Sequence, residues 1–355
     1  MERALSLVTD KRKGEVVRRY LASIGALNFN LKIRVKGGEI HIPLTRTLTP
    51  SEESRVRELC GEFSVVEEEF EVVPRRPRSI IEWLDGKLPP SLLASAPRSW
   101  DTIGDVAVVE VPDELKDKEG LIAEAIMAVH PNIRAVYLKA GGVQGEYRTR
   151  PLKLIAGERR DFTLHREHGV KLYVDVENTY FSPRLATERL RVASQVSDGE
   201  VVLDMFSGVG PFAIQIASRR RALVYAVELN PRAYELLVKN IESNKLQGRV
   251  IPIMGDARRV VEERLQSSVD RVIMDLPERS LEYVDAALKA LRGEGVLHVY
   301  LFEEEPSPKE RAVSNVRKRI EEYGWSVREV MRVELVKQVA PRRWQVVVDA
   351  YVQSS

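Results

Sequence analysis

Residues 201–231, VVLDMFSGVGPFAIQIASRRRALVYAVELNP, decide the fold. The apolar run 201–203 ends at Asp204, a turn FSGVG follows, residues 212–217 have helical apolar spacing, and a second apolar run, 222–227, is closed by Glu228. Strand, turn, helix and strand make a βαβ unit. Gly208 and Gly210 let the backbone turn tightly and approach a ligand. Glu228, at the end of the second strand, stands where a carboxylate accepts hydrogen bonds from ribose hydroxyls.

Such a unit suits a dinucleotide or S-adenosylmethionine, and the glycine spacing does not separate them, because Ala213 occupies the third glycine position and the dinucleotide pattern tolerates alanine there. The flanking strands say more. Residues 250–253 run into GDA, which places Asp256 at a strand end facing an adenine amino group, and RVIMDLP places Asp275 and Pro277 at the end of another strand. These strand ends share the edge where doubly wound sheets bind ligands. The layout predicts an α/β fold: a class I, Rossmann-like methyltransferase domain with a seven-stranded, mostly parallel sheet. Its last two strands, 325–336 and 344–352, follow without a helix between them and are expected to pair antiparallel at one edge.

With 355 residues, 44% hydrophobic and 30% charged, the chain is expected to hold two or three globular domains. No apolar run reaches the ~20 residues of a membrane span and the N-terminus lacks a signal-type apolar core, so an intracellular, cytoplasmic protein is expected. The lone Cys60 excludes an internal disulfide or a multi-cysteine zinc site. His165 and His168 have no third ligand in view, so no metal is expected. The net charge of +2 is uninformative, but basic clusters at 74–78, at 148–166 and at Arg342 and Arg343 suit phosphate binding if they share a face. The arginine and glutamate content suits surface ion-pair networks of the heat-adapted kind.

In chain order, residues 1–73 read as a small α/β module. It has a basic helix over 11–24 ending at Gly25, a hairpin turning at Gly37 and Gly38, a helix over 51–59 opened by the cap TPSEE, and a strand over 63–72. PRRPR, residues 74–78, reads as a linker. A middle segment, 79–172, carries a short helix SIIEWLDGKLP, a strand 103–111, a helix 119–129, a strand 133–138, the loop GGVQGEYRTR with Arg148 and Arg150, and strands near 152–155 and 170–176. From Leu185 a helix begins with Glu188 in its first turn, where helix-dipole electrostatics alone favour an acidic residue. The methyltransferase domain is expected over 173–355.

SWDTIGDVAVVEVP, GGVQGEYRTR, YFSPRLATERLRV, LDMFSGVGPFAI, VELNP, GDAR and MDLP follow one another as in the archaeal and eukaryotic tRNA (guanine-37-N1)-methyltransferases, and the chain resembles that family, with its wyosine-pathway relatives, over essentially its whole length. The resemblance implies Glu188 as general base, Arg148 as partner of guanine O6, and Asp275 and Pro277 as a catalytic-loop pair. It also implies methyl-donor contacts at Tyr180, Phe206, Glu228 and Asp256, with Asp204, Gly208, Gly210 and Asp275 completing the S-adenosylmethionine site. Arg150 and Arg184 join Arg148 on the RNA. The first two domains are expected to bind the tRNA body and anticodon stem-loop, and the protein to work as a monomer without an obligate protein partner. One departure stands out: the family more often has asparagine where this chain has Asp275.

The chemistry fits these residue types. Guanine N1 carries a proton at neutral pH, so a base such as Glu188, in a pocket that raises its pKa, has to remove it, and a guanidinium such as Arg148 stabilises the charge that then develops on O6. Two rival readings share the fold: methylation of C7 of 4-demethylwyosine at the same position, alone or together with guanine methylation, and aminocarboxypropyl transfer, against which the DLP motif argues. A noncatalytic tRNA-binding protein is a third reading, opposed by Glu188, Arg148 and Asp275 together.

Overall fold

The computed structural model describes residues 1–73, 77–142, 144–160 and 162–355, so the expected linker at 74–78 lies largely outside the described residues. Two compact units result, Met1–Arg78 and Ser79–Ser355.

The N-terminal unit runs β1 (Glu2–Asp10), α1 (Gly14–Ser23), β2 (Arg34–Lys36), β3 (Glu39–Pro43), α2 (Pro50–Cys60) and β4 (Ser64–Phe70). Its four-stranded sheet has the order β2-β3-β1-β4. The sequence reading assigns no element to residues 2–10, yet β1 is a central strand of this sheet, pairing antiparallel with both β3 and β4. Its buried stretch is too short to signal a strand without those partners. Helix α2 begins as its cap predicts: Thr49 accepts from the Glu52 amide and Glu52 reaches back to the Thr49 amide.

The second unit opens with the short helices α3 (Ile80–Leu84) and α4 (Pro90–Ala94). There follow β5 (Asp101–Ile103), β6 (Val106–Val109), α5 (Glu119–Val129), β7 (Ala135–Lys139) and β8 (Leu152–Gly157), which form a sheet of order β5-β6-β7-β8 backed by α5. The single strand expected over 103–111 is instead a hairpin broken at Gly104. That residue has φ +58°, and a Cβ there would meet the Thr163 hydroxyl at 2.1 Å. The neighbour it makes room for is a second element absent from the sequence reading, β9 (Thr163–Glu167), which pairs antiparallel with β10 (Val170–Val174). This hairpin packs between the four-stranded sheet and the larger sheet, its Val170, Leu172 and Val174 joining one apolar cluster with Val106, Tyr137, Ile214 and Leu236.

The remainder runs α6 (Ala186–Gln195), β11 (Val201–Asp204), α7 (Pro211–Ala217), β12 (Leu223–Glu228), α8 (Pro231–Glu242), β13 (Arg249–Met254), α9 (Ala257–Val260), β14 (Val269–Met274), α10 (Val284–Ala290), β15 (Leu291–Glu304), α11 (Pro308–Glu321), β16 (Trp325–Ala340) and β17 (Arg343–Ser354). These strands form a seven-stranded sheet of order β13-β12-β11-β14-β15-β17-β16. The first five are parallel, and β17 inserts antiparallel between β15 and β16. This is the Rossmann-like methyltransferase sheet expected, with the terminal antiparallel pair at its edge. Buried side chains on both faces, from Val202, Val224 and Ile273 on one side to Leu203, Val272 and Leu297 on the other, explain the continuous apolar runs of the central strands.

Candidate active site

The C-terminal ends of β11, β12, β13 and β14 open onto a cavity of about 250 Å³. Its glycine turn forms as the sequence predicts. Gly208 and Gly210 adopt φ +54° and +86°, and a Cβ on Gly210 would lie 2.4 Å from Leu237 Cδ1, so only glycine lets α8 close on the turn. Phe206, Gly208, Glu228, Asp256, Asp275, Tyr180 and Arg148 all line this cavity. Asp204, Gly210 and Pro277 do not: all three are buried.

Glu228 is fixed by backbone. The Gly208 amide donates to Oε2 at 2.6 Å and the Asn230 amide to Oε1 at 2.8 Å, while burial pushes its pKa up. Lone pairs remain for hydroxyl donors. Asp256 caps α9, its Oδ1 accepting from the Arg259 amide at 3.0 Å. Phe206 and Tyr283 meet edge to face with centroids 5.0 Å apart, giving the cavity an aromatic wall beside Asp256. Asp204 lies 0% exposed, with neither oxygen in a hydrogen bond of good geometry among the described residues. Burial first, then the charges of Asp275 and Glu228, push its pKa to about 8, so it is predominantly protonated at neutral pH. The carboxyl groups of Glu228 and Asp256, an aromatic wall and a glycine turn fit S-adenosylmethionine: the acidic groups suit ribose hydroxyls and an adenine amine.

Arg148 enters from the GGVQGEYRTR loop with φ +53°. Its guanidinium lies over Tyr180 at 4.4 Å, donates to the main-chain oxygen of Asp275 at 3.5 Å and pairs with Glu278 at 2.8 Å. Asp275 accepts from Gln345 Nε2 at 2.8 Å, and burial raises its pKa against the opposing pull of Arg148, Lys337 and Arg189. Arg148, Tyr180, Phe181, Ser182 and Glu278 also border a second cleft of about 650 Å³, whose wall carries Lys139, Arg150, Arg184, Lys337 and Arg343. The basic residues of the 148–166 region and of the 342–343 pair thus meet in part on one surface. Arg184 is anchored there by Asp101 at 2.6 Å and stays half exposed.

Glu188 is placed differently from its expectation. It is 8% exposed and does not line the cavity; Leu185 and Arg189 of the same segment do. Its carboxylate accepts two bonds of 2.7 Å from Arg191, and Oε1 takes a third, at 2.6 Å, from the Tyr300 hydroxyl. The sequence reading also missed a buried ion pair whose arginine lines the cavity, Arg189 and Glu167, with side chains 1% and 3% exposed. Arg189 Nε donates to Glu167 Oε1 at 2.7 Å and Nη1 to the main-chain oxygen of Ser182 at 3.1 Å, so it fixes the segment that carries Tyr180. His165 contacts Glu167 at 3.4 Å, and among the described residues no cluster of metal-ligating side chains occurs. The signal for this pair was present: an arginine on the inner side of α6 needs an acidic partner.

The TRM5/TYW2 methyltransferase domain family matches residues 163–328, the TYW2 N-terminal domain residues 80–160, and the tRNA methyltransferase 5 N-terminal domain residues 9–52. The chain is 40% identical over 345 residues to the tRNA (guanine(37)-N(1))-methyltransferase Trm5b of Pyrococcus abyssi, a match covering 97% of this chain and 98% of that protein. A solved structure described as the complex of aTrm5 and tRNALeu superposes with a TM-score of 0.79 at 33% identity, covering 98% of this chain and 99% of that one. A tRNA 4-demethylwyosine(37)-methyltransferase, Taw21 of Saccharolobus solfataricus, is 35% identical over 70% of this chain and 92% of its own length.

Proposed function

Because the chain belongs to the TRM5/TYW2 methyltransferase family, we propose that it is an S-adenosylmethionine-dependent tRNA methyltransferase acting on N1 of guanosine 37 in the anticodon loop. One observation carries this reading: Arg148 stands where the cofactor-type cavity joins the basic cleft, its guanidinium against Tyr180 and the Asp275 backbone. RNA backbone in the cleft and an extruded base in the cavity both meet that residue.

When bound, S-adenosylmethionine supplies an electrophilic methyl group on a sulfonium. Glu228 would hold its ribose and Asp256 its adenine amine, with the Phe206–Tyr283 pair as the aromatic wall beside Asp256. The Gly208–Gly210 turn gives the backbone close approach. On the substrate side, Arg148 donates to guanine O6 as the N1 proton leaves and stabilises the developing charge. Glu188 is the base. Its carboxylate turns from Arg191 toward the cavity once guanine is seated, a rearrangement consistent with catalytic hydrogen bonds that form only in the substrate complex. Asp275, with Pro277 fixing its loop, faces the guanine edge, and Arg150 and Arg184 hold the flanking phosphates. The four-stranded sheet and the hairpin over 79–172 serve as the RNA-binding domain, residues 1–73 bind the tRNA body, and 173–355 is the catalytic domain. The enzyme works as a monomer in the cytoplasm, where its tRNA substrate is found.

The test is nucleoside mass spectrometry of unmodified tRNA after incubation with isotope-labelled S-adenosylmethionine. Label in 1-methylguanosine, lost when guanosine 37 is replaced by adenosine, is the expected result. Label only in a tRNA carrying 4-demethylwyosine would transfer the assignment to the Taw21-type reaction.

A further inference from the structure

Helix α6 turns an unusually polar face to the sheet. Glu188, Arg191 and Gln195 recur at helical spacing with Val192, and the strands opposite carry His298 and Tyr300 on one face of β15 and Asp349 on β17 among otherwise apolar neighbours. His298 and Asp349 are both 0% exposed and directly opposite each other in the β15–β17 register.

These groups form one connected chain. Arg191 Nη1 donates to Asp349 Oδ2 at 2.5 Å and Nη2 to Oδ1 at 3.2 Å, while the same guanidinium holds Glu188. Gln195 Nε2 donates to Asp349 at 3.1 Å. His298 Nδ1 lies 2.6 Å from Asp349 Oδ1, and its Nε2 lies 2.8 Å from Arg271 Nη1. Arginine is only a donor, so Nε2 accepts and the imidazole is the neutral tautomer with its proton on Nδ1, directed at Asp349. Burial holds His298 below its ordinary pKa, in agreement with that tautomer. Burial alone would raise Asp349, yet its bonds to His298 and Arg191 outweigh that and hold it well below the carboxylate range.

Asp349 is therefore a permanent anion that shares Arg191 with Glu188. When Glu188 gains a proton, Arg191 keeps a charged partner and stays in place; without Asp349 its charge would fall wholly on Glu188. We propose that Arg191 and Asp349 are positioning residues: Arg191 holds Glu188 until guanine is seated, Asp349 draws part of that hold to itself, and the balance between them sets the pH at which Glu188 takes the guanine N1 proton. The other titratable groups facing Glu188 are Tyr300 of β15, which donates to it, and Asp275 after β14, whose negative charge acts on it from the cavity side.

This inference rests on the reading of Glu188 as the base, and opposite pH displacements test it. Single-turnover methylation of saturating tRNA is measured across pH for wild type, Asp349→Asn, Arg191→Gln and Tyr300→Phe, with melting temperature and cofactor affinity checked for each. Asp349→Asn removes a like charge and concentrates Arg191 on Glu188, so the acid limb is expected to move down by about one pH unit. Arg191→Gln removes the cation, and the limb is expected to move up. Tyr300→Phe removes a donor without changing charge and is expected to move it up by less; it carries the test if the charged variants do not fold. Limbs that stay in place, or that move in the same direction in Asp349→Asn and Arg191→Gln, would overturn the proposal. Glu188→Gln, run alongside, separates the two ideas: wild-type rates there would remove Glu188 as base, whereas a slow Glu188→Gln with unmoved limbs elsewhere would refute only the role of Arg191 and Asp349.

Discussion

Arg191 grips Glu188 by both carboxylate oxygens at 2.7 Å, one helical turn along α6, and so turns the expected catalytic carboxylate away from the cavity. In the proposed mechanism this ion pair holds Glu188 until guanine is seated. Glu188→Gln is expected to slow the chemical step by roughly 10² to 10⁴-fold with cofactor affinity little changed. Partial rescue at high pH, where guanine N1 ionises without help, is expected; a variant that turns over like wild type at neutral pH would direct the search for the base to Asp275.

Arg148→Ala removes a guanidinium that lines the cavity and donates to the Asp275 backbone. A loss of about 10² to 10³-fold in the single-turnover rate is expected, the range for deleting one donor to a developing oxyanion. Arg148→Lys keeps the charge but not the planar stack on Tyr180 and should recover only part of it. Equal rates for all three proteins would show that Arg148 merely closes the loop onto Glu278.

Glu228→Ala deletes the carboxylate poised by the Gly208 and Asn230 amides. Titration calorimetry with S-adenosylmethionine should show affinity weakened by at least about tenfold, in line with about 1.5–3 kcal/mol for a hydrogen bond to a charged group. Unchanged affinity would remove the ribose assignment.

Asp204 links the site to stability. Its folded pKa of about 8 lies above an unfolded value of about 3.9, so the folded state keeps a proton that the unfolded chain releases between those limits. Its contribution is fully present below about pH 4 and is lost as pH rises toward about 8, with a limiting slope of about 1.4 kcal/mol per pH unit. Asp204→Asn, neutral at every pH, should lack this component, so denaturant melts compared across the window should find its advantage over wild type growing with pH. An advantage that stays constant would contradict the protonated assignment.

Arg189→Met leaves Glu167 buried without its cation and is expected to cost about 3–5 kcal/mol, most of it regained when Glu167→Gln is added. Burial raises the pKa of Glu167, but its bonds to His165 and Arg189 outweigh that and bring it to about 2. The pair therefore stabilises the fold above the ordinary glutamate range, and that stability disappears as pH falls toward 2. Additive losses in the double variant would mean that the two side chains act independently.

The sequence by itself determined what local chemistry determines. The 201–231 stretch formed β11, α7 and β12 because its apolar periods, its two glycines and its closing carboxylates all pointed to one conformation, and the strand-end position of Glu228 and Asp256 followed from that chain path alone. The capping box of α2 and the limits of α5 were legible for the same reason. What only the tertiary structure decided were the pairings. Strands β1 and β9 exist because neighbours distant in sequence accept their hydrogen bonds, and Gly104 breaks a strand because Thr163 needs its space. On local sequence Glu188 suited a helix dipole, and only the family resemblance made it a base; its orientation was fixed by Tyr300, 112 residues from it, and through Arg191 by Asp349, 158 residues from that arginine, separations that carry no local signal. Burial supplied the rest, since the proton on Asp204 depends on how much water and how many charges the finished fold leaves beside it.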